Sequence, residues 1–110
     1  MGTPMTAYAE QLADQLTAAG VPTVVDPKRI SVRQLPVVLV APPAIDYRTK
    51  EATWRLLVLG PGPGTLAGWT AIDELLDALN QQLPLETADP GTYTTPSGEL
   101  ACYVATFTTT

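Results

Sequence analysis

Side chains able to do chemistry are few in this 110-residue chain, and their spacing decides what they can do. Asp73, Glu74 and Asp77 lie close together in a segment of helical periodicity, and Asp73 and Asp77, four apart, share one helical face. Paired carboxylates are the apparatus of glycoside hydrolysis, but such a pair must flank a substrate. Neighbouring acids on an exposed helical face read instead as a solvated surface or a salt-bridge patch. Ser31 and Ser97 have no histidine to take their proton, because the chain contains none. Cys102, the single cysteine, lacks a base for the same reason and reads as a small buried hydrophobe on a strand. One cysteine and no histidine also leave nothing from which to build a sulfur–imidazole metal cluster or an internal disulfide. Lys28 and Lys50 fall in polar segments with nothing to desolvate an amine. Tyr8, Tyr47, Tyr93 and Tyr103 fit core or rim positions. The run Gly60-Pro61-Gly62-Pro63-Gly64 has the glycines of a phosphate loop but not its donors. A cradle is made of successive backbone N–H groups, which Pro61 and Pro63 lack, and neither the Gly-Lys-Ser/Thr ending nor the G-x-G-x-x-G spacing is present. A stiff turn is expected there. No catalytic constellation, cofactor site or metal site is expected.

The elements that carry these residues follow from periodicity. Thr3-Pro4 is a helix start, with Met5, Tyr8, Leu12, Leu16 and Ala19 at helical spacing and Gly20 as the cap. Val21 to Val25 reads as a short edge strand flanked by Pro22 and Pro27, followed by a polar connector from Lys28 to Gln34. Leu35 to Gly60 is the centre of the pattern. Two apolar runs, Leu35–Val40 and Trp54–Leu59, read as buried strands joined by a long hairpin loop over residues 41–53. Trp69, Ile72, Leu76, Leu79 and Leu83 form the stripe of a second helix within Thr65–Leu83, widened by Leu66 and Leu75 and closed by Pro84. Glu86 to Gly98 is rich in turn signals around a short extended Thr92-Tyr93-Thr94, and Leu100 to Thr108 is the last strand. The order α-β-β-β-α-β, with a further small strand near Tyr93, predicts one α+β domain over residues 1–110. Its architecture is a two-layer sandwich, with a mostly antiparallel sheet and two helices on one face.

Charge is segregated along the chain. Residues 26–55 hold all six basic side chains against three acids, a net of +3, whereas residues 56–110 hold six acids and no base. With a net charge of −5 the protein is a poor nucleic-acid binder, because Lys and Arg supply most of that affinity. Segregated charge suits head-to-tail contact between identical subunits, and equally suits an ordinary solvated surface. No apolar run approaches the ~20 residues that span a bilayer. Neither a basic region nor an apolar h-region follows Met1, so no signal peptide is expected, and the lone cysteine suits an intracellular site of synthesis.

Taken together, the pattern resembles the tail terminator proteins of long-tailed, siphovirus-type phages, particularly those of actinobacteria. The residues that carry the likeness are the helix ending in Gly20, Asp26-Pro27, Leu35-Pro36-Val37-Val38-Leu39-Val40-Ala41-Pro42-Pro43 and Ile45-Asp46-Tyr47-Arg48. They continue through the Trp54 strand, the Pro/Gly break, the Leu-rich helix and Thr95-Pro96-Ser97-Gly98 before the last strand. The likeness covers nearly the whole chain, and its motifs are architectural. It implies a structural virion protein assembled in the host cytoplasm: a ring, usually of six subunits, at the head-proximal end of the tail. That ring caps the tail tube, ends tube polymerisation and joins the head–tail connector or stopper protein. Its partners are itself, the tube protein and the connector. DNA only passes through the lumen, and no membrane is involved. Six copies amount to about 70 kDa. From charge segregation, Arg48, Lys50 and Arg55 are expected to meet Asp73, Glu74 or Asp77 across the subunit boundary, with Asp46 and Glu51 in the same contact region. The alternatives are another head–tail joining protein, or a small dimeric α+β module that binds a ligand or regulates.

Overall fold

The protein is described from a computed structural model, and the residues described are 4–26, 28, 35–60, 66–95 and 98–109. They form an α+β fold in the order α1 (Pro4–Ala18), β1 (Thr23–Val24), β2 (Val37–Asp46), β3 (Glu51–Leu59), α2 (Leu66–Gln82), β4 (Thr87–Thr95) and β5 (Gly98–Thr109). The sheet order is β1-β2-β3-β5-β4. Only the β1–β2 pair is parallel, and the other three are antiparallel. Both helices contribute to one core on a single sheet face. Ala9, Leu12 and Leu16 of α1 and Ile72, Leu75 and Leu79 of α2 meet Val38, Val40, Trp54, Leu56, Val58, Ala105 and Phe107. The alternating residues Val37, Leu39, Leu59 and Cys102 form a smaller cluster on the opposite face, with Tyr93 packed against it.

Helix α1 ends as its sequence dictates. The Val21 N–H donates to Leu16 O at 2.8 Å and the Gly20 N–H to Thr17 O at 3.1 Å, while Gly20 has φ 93°. This is the paired 6→1 and 5→2 termination that needs a left-handed residue, and the Leu16 and Val21 side chains that flank it are both buried in the core. Thr3 and residues 61–64, where an N-cap and a stiff turn were expected, lie outside the described residues, as do residues 29–34 of the polar connector.

Three expectations are corrected. The loop expected over residues 41–53 is mostly strand. β2 runs on through Pro42 and Pro43 to Asp46, and β3 begins at Glu51, leaving a four-residue turn from Tyr47 to Lys50. The prolines are tolerated because β1 covers β2 only at Val38 and Leu39, so the outer edge beyond needs no N–H donors. Next, the loop-rich Glu86–Gly98 segment contains the nine-residue strand β4, which pairs along β5 from Thr87↔Thr106 to Thr95↔Gly98. Asp89-Pro90-Gly91, a turn signal in isolation, is accommodated because β4 is an edge strand. Finally, the buried stripe of α2 is rotated from the one its leucines draw. Ile72, Leu75 and Leu79 are buried, but Trp69 is 59 % exposed and Leu66 78 % exposed. At ~100° per residue the buried line lies roughly 65° round the helix from the Trp69–Leu76–Leu83 line. Gly60 explains the rotation: a Cβ there would lie 2.8 Å from the Ile72 side chain and 3.1 Å from the Gly68 carbonyl oxygen. The bare backbone at the end of β3 therefore leaves room for the Gly68–Ile72 side of the helix to close on the sheet.

Candidate assembly surface

The four-residue turn between β2 and β3 is built by Asp46. Its Oδ1 accepts the backbone N–H of Arg48 at 2.9 Å and of Thr49 at 3.4 Å, and its carbonyl accepts the Lys50 N–H at 2.9 Å. Lys50 closes the turn in the left-handed region, with φ 63°. These bonds fix the direction in which the tip presents its side chains. Tyr47 is 78 % exposed, and the Arg48 side chain is 93 % exposed with its Nε 3.7 Å from Asp46 Oδ1. A pair so solvated contributes about 0–1 kcal/mol and leaves most of the guanidinium's donors free for another partner.

A bulge sets which side chains face the helices. Between Ala41↔Arg55 and Ala44↔Thr53, β2 spends three residues against two of β3. The shift reverses the alternation beyond it, so Ile45, paired with Ala52, lies on the same sheet face as Trp54. Ile45, exposed, and Tyr47 then border a recess of about 390 Å³ whose floor includes Tyr8 and Trp54.

Asp46, Arg48, Lys50 and Glu51 are thus gathered at this tip. Arg55 is not: alternation along β3 places it with Leu57 on the helix-free face, paired between Ala41 and Thr106. Asp73, Glu74 and Asp77 are gathered on the exposed side of α2, where Gln81 Nε2 donates to Asp77 Oδ2 at 3.5 Å. The tip cations and the α2 acids do not meet within one chain. Among the described residues the only ion pair is Arg48–Asp46.

Beside those acids lies a second groove, also of about 390 Å³, lined by Leu66, Trp69, Asp73, Leu76 and Tyr103. The sequence had assigned Trp69 to the core and Tyr47 to core or rim, and these two exposed aromatics are what it missed. The available signal for Trp69 was Gly68 beside it, together with Leu66 three residues before it on the opposite side of the helix from Leu75. Cys102 is 3 % exposed, and burial raises its thiol pKa above the ordinary value, as a small buried hydrophobe requires.

No group of three or more potential metal-ligating side chains gathers among the described residues, and no helix among them is long and apolar enough to cross a membrane. Comparison with protein-family models, curated proteins and solved structures returned no match. The likeness to tail terminators accordingly rests on the residues quoted for it.

Proposed function

We propose that the protein is a structural subunit that assembles with copies of itself into a ring, and that the ring caps a phage tail tube, ends its polymerisation and joins it to the head connector within the virion. The observation that carries this reading is the β2–β3 tip. Its turn is held rigid by Asp46, and it offers Tyr47 and Arg48 to solvent. An exposed aromatic beside a guanidinium with most of its donors unused is a composition enriched in protein contacts. The separation of Arg48 and Lys50 at the tip from the acidic α2 surface supports contact between identical subunits. An acidic bore would let DNA pass without sticking and would use some of the net charge of −5 per subunit. The sheet edges support assembly through side chains: Pro42 and Pro43 at one edge and Pro90 at the other interrupt the donors that strand-to-strand addition needs.

The test is the native mass of the purified chain from micromolar to millimolar concentration, alone and with the tail-tube protein of the same virion. A cyclic multiple of 11.7 kDa that halts tube growth supports the reading. A monomer or dimer throughout, with tubes growing unchecked, refutes it.

A second reading, a ligand-binding or regulatory module, is favoured by one feature: a largely apolar groove of about 400 Å³ lined by Ala9, Val25, Leu39, Pro43, Trp54 and Tyr93.

A further inference from the structure

The two exposed apolar patches stand at opposite ends of the sheet. β3 starts at the tip with Glu51 and runs to Leu59, a span of roughly 25–30 Å at ~3.3 Å per residue. α2 begins only beyond that far end, with its Gly68–Ile72 turn against Gly60. The Ile45–Tyr47 patch is therefore about one strand length from the Leu66–Trp69 groove, in a molecule 41 Å long. Both patches belong to the helix side of the sheet: Ile45 through the bulge, and the groove because it lies between α2 and Tyr103.

The charges beside them differ. Arg48 and Lys50 share the tip with Asp46 and Glu51, which leave it neutral overall, while Asp73 lines the groove with Glu74 and Asp77 beside it. No basic residue occurs anywhere from Leu56 to Thr110 to neutralise those acids locally. The tip's two cations, with the Arg48 side chain 93 % exposed, match the acids beside the groove, and its apolar knob matches the groove's apolar lining.

We infer that the β2–β3 tip of one copy docks head-to-tail in the α2 groove of the next, with Tyr47 and Ile45 against Leu66, Trp69, Leu76 and Tyr103, and Arg48 and Lys50 against Asp73 and Asp77. This rests on the self-assembly reading above and names its contact. Knob and groove are different surfaces on one chain, so each added copy leaves one free tip and one free groove, and a closed ring is the arrangement that satisfies all of them. Arg55, on the other face, takes no part.

The decisive experiment mixes two single variants, Tyr47→Cys and Trp69→Cys, under mild oxidation. Both positions are exposed, and the native Cys102 is buried and serves as the internal control. The mixture is expected to give a disulfide-linked dimer containing one chain of each kind, and either variant alone no more linkage than wild type. Charge exchange gives the second measurement. Arg48→Asp and Asp73→Arg should each weaken self-association at least tenfold, and the double variant should recover most of it. Linkage of Tyr47→Cys to itself, or no enrichment in the mixture, overturns the head-to-tail contact, as does an additive double variant. If wild type is a ring while those results fail, only the contact is wrong. If wild type is monomeric with and without tube protein, the assembly reading falls as well.

Discussion

The rings of Tyr8 and Trp54 lie 4.9 Å apart at an interplanar angle of 38°, joining the first helix to the strand that leaves the β2–β3 tip. Trp54 is also tied to the end of β5, where its Nε1–H donates to Thr109 Oγ1 at 3.2 Å. Three elements thus converge on one side chain directly beneath the tip. Trp54→Ala is expected to cost about 3–5 kcal/mol by the cavity it leaves. Trp54→Phe, which keeps a ring but loses the donor, should cost about 1 kcal/mol. Tyr8→Ala should cost at least the ~0.5–1.5 kcal/mol of the ring pair. Urea unfolding monitored by circular dichroism measures all three.

Gly60 is needed for close approach. Gly60→Ala places a Cβ 2.8 Å from Ile72 side-chain carbons and 3.1 Å from a backbone oxygen that cannot move aside alone. The expected loss is about 1–3 kcal/mol, from overpacking. The same substitution at Gly91, whose nearest contact would be 3.9 Å away, should be tolerated far better. Paired thermal melts make the comparison.

The tip is stiff because of one carboxylate and one strained residue. Asp46→Ala removes an acceptor used by two N–H groups and should cost about 1 kcal/mol. Lys50→Gly relieves the left-handed strain at φ 63° and should raise stability by about 0.5–1 kcal/mol. Lys50→Ala removes the same charge without relieving the strain and separates the two effects. Denaturant midpoints distinguish the three variants.

Cys102 sets a pH dependence with a definite sign. Burial raises the thiol pKa above its ordinary 9.0, so the folded state disfavours the thiolate. The stability this group supports is fully present below pH 9 and is lost as pH rises through the raised value. The difference in unfolding free energy between wild type and Cys102→Ala should therefore be flat at neutral pH and shrink in the alkaline range. An aromatic disulfide reagent at neutral pH should titrate the thiol only after denaturation.

Much of this was legible in the sequence. The two helices, the central β2 and β3 runs, the Gly20 termination and β5 follow from local signals that burial then reinforces. The misread parts share one cause: a neighbour in space overrode a local signal. Pro42-Pro43 and Asp89-Pro90-Gly91 are turn formers in isolation, yet both sit in strands because each strand edge there asks for no donor. The stripe of α2 was placed by its leucines, whereas Gly60, nine residues before Trp69, lets the Gly68–Ile72 side close on the sheet and leaves Trp69 exposed. Ile45 was unreadable for a related reason, since only the one-residue bulge between Ala41 and Ala44 sets the sheet face it joins. The charge census pointed to the tip and the α2 face that the proposed contact uses, but it could not tell that Arg55 belongs to the other side of the sheet.

Self-assembly through this tip is the central claim, and native mass tests it most directly. Light scattering on the purified chain at high concentration, repeated with tube protein present, should give a single species at a cyclic multiple of 11.7 kDa, about 70 kDa for six copies, and Arg48→Asp should shift it toward the monomer. A species that stays a monomer of 11.7 kDa or a dimer under every one of these conditions would contradict it.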